Sequence, residues 1–403
     1  MNDPYRISRR RALHLLGAGT GAAILPLATA TAGADDTRLI VIILRGGVDG
    51  LSLLAPLGDP DYAGQRRALA LNAGEALPLD GFFALHPALT ALHPLWSAGQ
   101  LTGFHALATP YRNRSHFDAQ LVLENGLDQP RGAADGWLNR AVQGMARQSG
   151  ADPASLGLSV GQTPPLIMRG TVPLQSWAPT TLPSADEAVL LKIADLWAGD
   201  PVLGPHMAQA LAVNDMQTDM PDMSRNARRT ARRNFGRLVG ASLPVITRPH
   251  AQRITVLEMS GWDTHVQQGT IRGRFARQMA DLNAGLANLI TGLQGSWHRT
   301  AVLLLTEFGR AVHPNGNGGS DHGTGGAALL FGGALAASGV RTDWPGLGES
   351  NLLTARDLKP TRDLRSLYHA VLQDHLHISG QELDRNVLPG TKADPAFRDL
   401  FRG

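Results

Sequence analysis

Six acidic and imidazole side chains stand in the short loops beside apolar runs: Asp49, Asp263, His265, Glu307, Asp321 and His322. Carboxylate oxygens with imidazole nitrogens are a donor set for Zn, Mn or Mg, and this many would hold one or two divalent ions. The chain has 0 Cys, which excludes thiolate ligands, cysteine nucleophiles and disulfides. In Asp263-Thr264-His265 two ligands fall on the same side of an extended segment, because side chains alternate along it. Glu307 ends an apolar run, where a carboxylate is costly unless it is paired or ligating. Asp49 in Gly47-Val48-Asp49-Gly50 reads equally as a turn residue, and Asp321-His322 sits before Gly323. Two ions a few ångströms apart clamp the entering and leaving oxygens of phosphoryl or sulfuryl transfer.

A nucleophile candidate lies in Tyr111-Arg112-Asn113-Arg114-Ser115-His116-Phe117-Asp118. Ser115 falls where a helix is expected to begin, and free backbone N–H groups there favour an anion. It reads also as a plain N-cap serine, with Asp118 completing an approximate capping box. A hydroxyl activated by a metal would attack. His116 is an alternative ligand, and Arg45, Arg112, Arg114 or Arg310 would hold the oxygens of an anionic group.

These residues need a frame that brings distant segments together. Leu39 to Leu44 is a continuous apolar, β-branched run, and Ile254 to Met259, Thr300 to Leu305 and Ala327 to Phe331 repeat the pattern. Continuous rather than alternating runs suit strands buried on both faces of a parallel sheet. Helical spacing marks Pro87 to Ser97, His116 to Gly126 and Gly269 to Gln294, the last with Ile271, Phe275, Met279, Leu282, Leu286, Leu289 and Leu293 on one face. The alternation predicts a doubly wound α/β domain, with a mostly parallel sheet and helices on both faces. Ligands of such domains bind outside the carboxyl ends of the strands, where most of the acids and imidazoles stand. A stretch from about 200 to 250 differs in character, with Met207, Met216, Met220 and Met223 before Arg225 to Arg233. It reads as a solvated helix on an inserted cap segment, or as a basic lid over an anionic substrate. His375 and His377 read as surface helix residues.

Over 403 residues, 43% hydrophobic and 18% charged, with 46 Gly and 25 Pro, the chain is globular and loop-rich, neither disordered nor fibrous. The net charge of +3 does not indicate nucleic acid. Setting aside Arg6, Arg9, Arg10, Arg11 and Asp3 leaves 33 basic and 33 acidic residues. Residues 1–34 read as a twin-arginine signal peptide: Ser8-Arg9-Arg10-Arg11, a mildly apolar stretch from Ala12 to Leu27, then the small residues Ala32-Gly33-Ala34. That stretch is short and Gly-rich for a membrane span, so no stable membrane anchor is expected. The expected partner is the twin-arginine (Tat) translocation machinery, and the expected location is the periplasm or cell surface.

Leu44-Arg45-Gly46-Gly47-Val48-Asp49-Gly50, Arg112 to Gln120, Gly261-Trp262-Asp263-Thr264-His265, Thr306-Glu307-Phe308-Gly309-Arg310 and Ser320 to Gly326 together resemble domain-of-unknown-function family 1501, an exported bacterial family. That family is similar to a branch of the alkaline phosphatase/sulfatase superfamily of two-metal ester hydrolases. The resemblance implies an alkaline-phosphatase-like domain over 35–403, with a small phosphate or sulfate ester as substrate. It implies Asp49 as a metal-binding acid and Ser115 as nucleophile. Asp263 with His265 would hold the other ion, and His322 matches the late histidine before a strand. Glu307-Phe308 departs from the Asp-His pair common in phosphatases, and His116 or Asp321 would replace the missing ligand. The competing expectation is a non-catalytic exported protein that keeps the fold for metal binding or assembly.

Overall fold

A computed structural model describes residues 37–132, 134–179, 187–197, 199–200, 204, 207, 234–248 and 250–402. The expected leader, residues 1–34, and most of the Met- and Arg-rich stretch, residues 208–233, lie outside the described residues. Among the described residues nine strands build the main sheet: β1 (Arg38–Arg45), β2 (Leu101–Ala108), β3 (Gly157–Val160), β4 (Gln175–Trp177), β5 (Ile254–Ser260), β6 (Thr300–Leu305), β7 (Gly326–Phe331), β8 (Gly339–Arg341) and β9 (Arg362–Asp363). Their spatial order is β8-β2-β7-β6-β1-β5-β3-β4, with β9 also pairing β2. Only β7 runs against its neighbours, pairing antiparallel with β2 and β6. The fold is α/β with a mixed, mostly parallel sheet, as the apolar runs predict. A small three-stranded sheet of Leu54–Ala55, Leu77–Pro78 and Ala84–Leu85 accompanies it.

Both faces of β1 are covered, which is why its sequence does not alternate. Ile40, Ile42 and Leu44 point into a core with α3 (Phe235–Ile246) and α4 (Arg274–Gly292). Leu39, Val41 and Ile43 face the opposite core with α1 (His116–Asn125), α2 (Trp137–Ser149) and α5 (Leu364–Asp374). Trp137 and Tyr368 stack there, with ring centroids 4.5 Å apart. α1 ends as expected at Gly126, whose left-handed φ of 69° only glycine adopts without strain.

Some expectations change. Ile271 precedes α4 and is 37% exposed, so the buried stripe begins at Phe275. The helix sought from Pro87 is confined to His93–Ser97. His375 is not a surface residue: it is buried just beyond α5, stacks on Phe401 and donates from Nε2 to the Arg38 carbonyl at 2.9 Å. His377 is exposed. Part of the stretch read as an insert, α3, packs in the core, where Asp281 of α4 accepts the Phe235 and Gly236 N–H groups at 2.8 and 2.9 Å. β2 had no apolar-run signature because it carries Thr102, Gly103 and His105. The Thr102 hydroxyl donates to the Ala337 carbonyl at 3.2 Å, and His105 Nε2 bonds the Gly50 carbonyl, also at 3.2 Å.

Burial pushes both His105 and His375 down to about 4. Their unfolded counterparts take up a proton near pH 6.5, so the folded state loses stability as pH falls from there towards 4. Thermal melting between these limits should show a declining Tm. The slope should flatten in His375→Gln; an unchanged slope in that variant would refute the assignment.

Candidate metal centre

The sheet's C-terminal edge gathers the chemistry. Asp263 and His265 follow β5, Glu307 follows β6, and His116 opens α1 after β2. His322 precedes β7. Because β7 is reversed, the loop entering it lies at the same edge as the loops leaving β2 and β6. The turn after β1 crowds this edge. Gly46 has φ 119°, and a Cβ there would come within 2.5 Å of the Asp263 nitrogen, so only glycine fits. Trp262, fully buried, sets its ring edge-on to Phe275 of α4 and roots the loop that carries Asp263.

His116, Asp263 and His322 offer ligand atoms that all lie within 4.8 Å of one another. His116 Nε2 is 2.9 Å from His322 Nε2, and Asp263 Oδ1 is 3.2 Å from His322 Nε2 and 3.5 Å from His116 Nε2. His265 Nε2 joins two of the three, at 2.9 Å from His322 Nε2 and 3.0 Å from Asp263 Oδ1. Ligands about 2 Å from a common ion stand roughly 2.8–3.4 Å from one another at ordinary coordination angles, so the spacing fits a cation.

The proton placement fits as well. His116 Nδ1 faces Glu307 Oε1 at 2.8 Å, His265 Nδ1 faces Asp321 Oδ1 at 3.1 Å, and His322 Nδ1 faces the Arg114 carbonyl at 2.9 Å. A carbonyl or an ionised carboxylate only accepts, so these partners assign each ring proton to Nδ1 and leave each Nε2 a bare lone pair. Imidazole lone pairs and a carboxylate oxygen then face one another, and among the described residues the donor that reaches them is Arg310, whose Nη1 lies 2.8 Å from Asp263 Oδ1. Positive charge turns that repulsion into attraction. The Glu307 hydrogen bond raises the affinity of His116 for a second proton despite partial burial, while burial lowers that of His322.

The carboxylates divide into two roles. Asp263 contributes the converging oxygen; burial works against its charge, but Arg310 outweighs that and holds its pKa below the usual range. Glu307 is buried, yet the His116 and Gln120 hydrogen bonds keep it ionised. Its Oε1 also accepts the Gly46 N–H at 2.8 Å, so it braces His116 from behind. Asp321, held ionised first by the Asn315 amide, braces His265 in the same way. Asp49 is not among the converging atoms: Oδ2 takes the Arg66 guanidinium, Ser52 Oγ at 2.8 Å and Gln268 Nε2 at 2.6 Å. Of the two replacements considered at Glu307-Phe308, His116 supplies an imidazole, and Phe308 packs on His116 and His322 at centroid distances of 4.7 and 5.1 Å.

Ser115 is the residue before His116 and the positional N-cap of α1, but its side chain makes no capping hydrogen bond. The expected capping box is not formed, because Asp118 Oδ2 accepts the Tyr111 hydroxyl at 2.9 Å. Arg114 has a left-handed φ of 58°, which aims its carbonyl at His322. Such a backbone costs about 1–2 kcal/mol in a non-glycine residue. Its Nε lies 2.8 Å from Asp357 Oδ2, and the side chain remains about one third exposed. The other arginines are engaged elsewhere: Arg45 with Glu124 and Glu258, Arg112 with the Thr109 and Tyr111 carbonyls, Arg310 with Asp263 and Ser320. Gln268, Ser320, Arg66 and Asp357 carry no local sequence signal for these roles; they are polar residues whose partners come from distant loops.

Fold and cluster together define an α/β protein with a His116–Asp263–His322 cluster at its sheet edge, spaced as a cation would require. The chain belongs to the family described as protein of unknown function DUF1501, which matches residues 100–389. No curated protein matches the sequence. Among solved structures it is similar to Ps i-CgsB in complex with k-i-k-neocarrahexaose, at 11% identity and TM-score 0.42 over 86% of this chain and 75% of that one. It is also similar to the C-terminal periplasmic domain of EcEptC from Escherichia coli in complex with Zn, at 14% identity and TM-score 0.35 over 93% of each chain. The phosphonate monoester hydrolase of Agrobacterium radiobacter matches at 11% identity and TM-score 0.35 over 85% of this chain and 74% of that one.

If the cluster holds a cation, removing a brace should loosen it. Glu307→Met should weaken zinc binding about ten- to a hundredfold, the usual effect of losing a carboxylate behind a ligating histidine. His322→Ala should abolish tight binding. Competition with a chelating dye measures both, and undiminished affinity in either folded variant would exclude this site.

Proposed function

We propose that the protein is an exported, metal-dependent hydrolase of phosphate or sulfate esters, a branch of the alkaline phosphatase/sulfatase-like superfamily. The observation that carries this reading is the group of bare imidazole nitrogens around Asp263 Oδ1, with Ser115 adjoining His116 and its hydroxyl uncommitted to the helix. The imidazole-rich donor set favours Zn over Mg, which prefers oxygen ligands. A bound divalent ion would supply Lewis acidity, lowering the pKa of a nearby hydroxyl and neutralising charge on the ester.

The chain's own groups take the remaining roles. His116, His265, His322 and Asp263 would hold the ion, with Glu307, Asp321 and the Arg114 carbonyl fixing the rings. Ser115 Oγ gives up its proton and attacks the phosphorus or sulfur, the bond from that atom to the ester oxygen breaks, and the alkoxide takes up the proton. Water then cleaves the seryl ester, releasing phosphate or sulfate and restoring the hydroxyl. The first backbone N–H groups of α1 and the Arg114 guanidinium bind the non-bridging oxygens. Asp357 is buried and pairs with both Arg114 and Arg356. Export by the twin-arginine machinery to the periplasm or cell surface belongs to the same proposal; among the described residues no helix is long and apolar enough to cross a membrane.

Zinc-loaded protein should hydrolyse an aryl phosphate or an aryl sulfate. Ser115→Ala should lose at least ~100-fold in kcat while retaining its zinc. Stoichiometric zinc with no turnover on either ester class would instead favour the non-catalytic metal-binding reading.

A further inference from the structure

The loops that bring Asp263 with His265, and Asp321 with His322, to the cluster share one buried side chain. Gln268 is fully buried. Its Oε1 accepts Thr264 Oγ1 at 2.8 Å and Ser320 Oγ at 2.6 Å. Thr264 stands between Asp263 and His265, and Ser320 immediately precedes Asp321 and His322. On its other side Gln268 Nε2 donates to Asp49 Oδ2 at 2.6 Å. Asp49 is itself anchored by Arg66, whose Nη1 donates to the Ala311 and Val312 carbonyls at 3.3 and 3.0 Å.

The chemistry of these contacts fixes the amide's orientation. A carboxylate only accepts, so the nitrogen must face Asp49 and the oxygen must face the two hydroxyls. An amide is suited to this post because it donates at one end and accepts at the other. All the partners are buried, so a group left unpaired here bears its desolvation cost. Backbone bonds also join the loops, Ser320 N–H to the Thr264 carbonyl at 3.1 Å and a bridge of Arg310 with His322, and Gln268 adds the side-chain link from both loops to Asp49 in the turn after β1.

We propose that Gln268 is the positioning residue of the cation site, with Asp49 as its anchor through Oδ2. The inference rests on the cation-site reading above. Gln268 couples both ligand-bearing loops to the Asp49–Arg66 pair, so the spacing of His265, His322 and Asp263 depends on a hydrogen bond outside the coordination shell.

Exchanging the polarity of that hydrogen bond tests it. Gln268→Glu places two carboxylates against each other and should weaken zinc binding roughly ten- to a hundredfold. Gln268→Met breaks the same link without adding charge and should weaken zinc binding to a similar extent. Affinity is read on the full-length chain by chelator competition. The visible absorption of the cobalt(II)-loaded protein, which reports ligand geometry, should change in both variants. Undiminished zinc affinity, or an unchanged cobalt spectrum, in either folded variant would overturn the proposal. Absence of zinc binding in the unsubstituted chain would overturn the cation-site reading beneath it, and is distinguishable from both results.

Discussion

Imidazole nitrogens and a carboxylate oxygen about 3 Å apart, each presenting a lone pair, are an arrangement that the folded chain must impose. Left to themselves the groups would rotate apart or take up protons. Here they are held because every ring is gripped at its far nitrogen: His116 by Glu307, His265 by Asp321, His322 by the Arg114 carbonyl. Those grips decide the tautomers, and the tautomers decide that the cluster attracts positive charge. The raised proton affinity of His116 expresses the same demand in protons that a divalent ion would satisfy.

Holding such a cluster requires a rigid surround, and the sheet edge provides it. Parallel strands deliver Asp263 and Glu307 at their C-terminal ends, and one reversed strand, β7, lets the preceding loop deliver His322 to the same place. Crowding adds to the constraint. A Cβ at Gly309 would overlap the backbone of Gly325, and one at Gly323 would overlap that of Arg310, so the loops beside β6 and β7 interlock. Beneath them lie two buried carboxylates, Asp49 paired with the buried Arg66, and Asp357 paired with the partly exposed Arg114 and Arg356. Removing one partner of such a pair costs more than the pair contributes, which makes these loops resistant to separate movement.

Much of the frame was legible without coordinates. Leu39 to Leu44 and Thr300 to Leu305 read as strands buried on both faces, since nothing else explains an unbroken β-branched run of that length. β2 escaped because Thr102 and His105 find partners only after folding, so their polarity disguised a buried strand. His375 read as a surface residue for the same reason; its partner, the Arg38 carbonyl, lies at the other end of the chain.

The sequence by itself determined which residue types stand at the strand ends, that no thiolate takes part, and that a doubly wound sheet would bring distant loops to one edge. Residue type and hydrophobic period are local properties, so they survive in a linear reading. Only the tertiary structure decided which carboxylate faces the histidines and which stands behind them. Asp49, Asp263, Glu307 and Asp321 are equivalent as letters, but Arg66 occupies the first, while Glu307 and Asp321 accept imidazole protons. That division depends on hydrogen-bond partners contributed from across the chain, and chain closure alone brings them within reach.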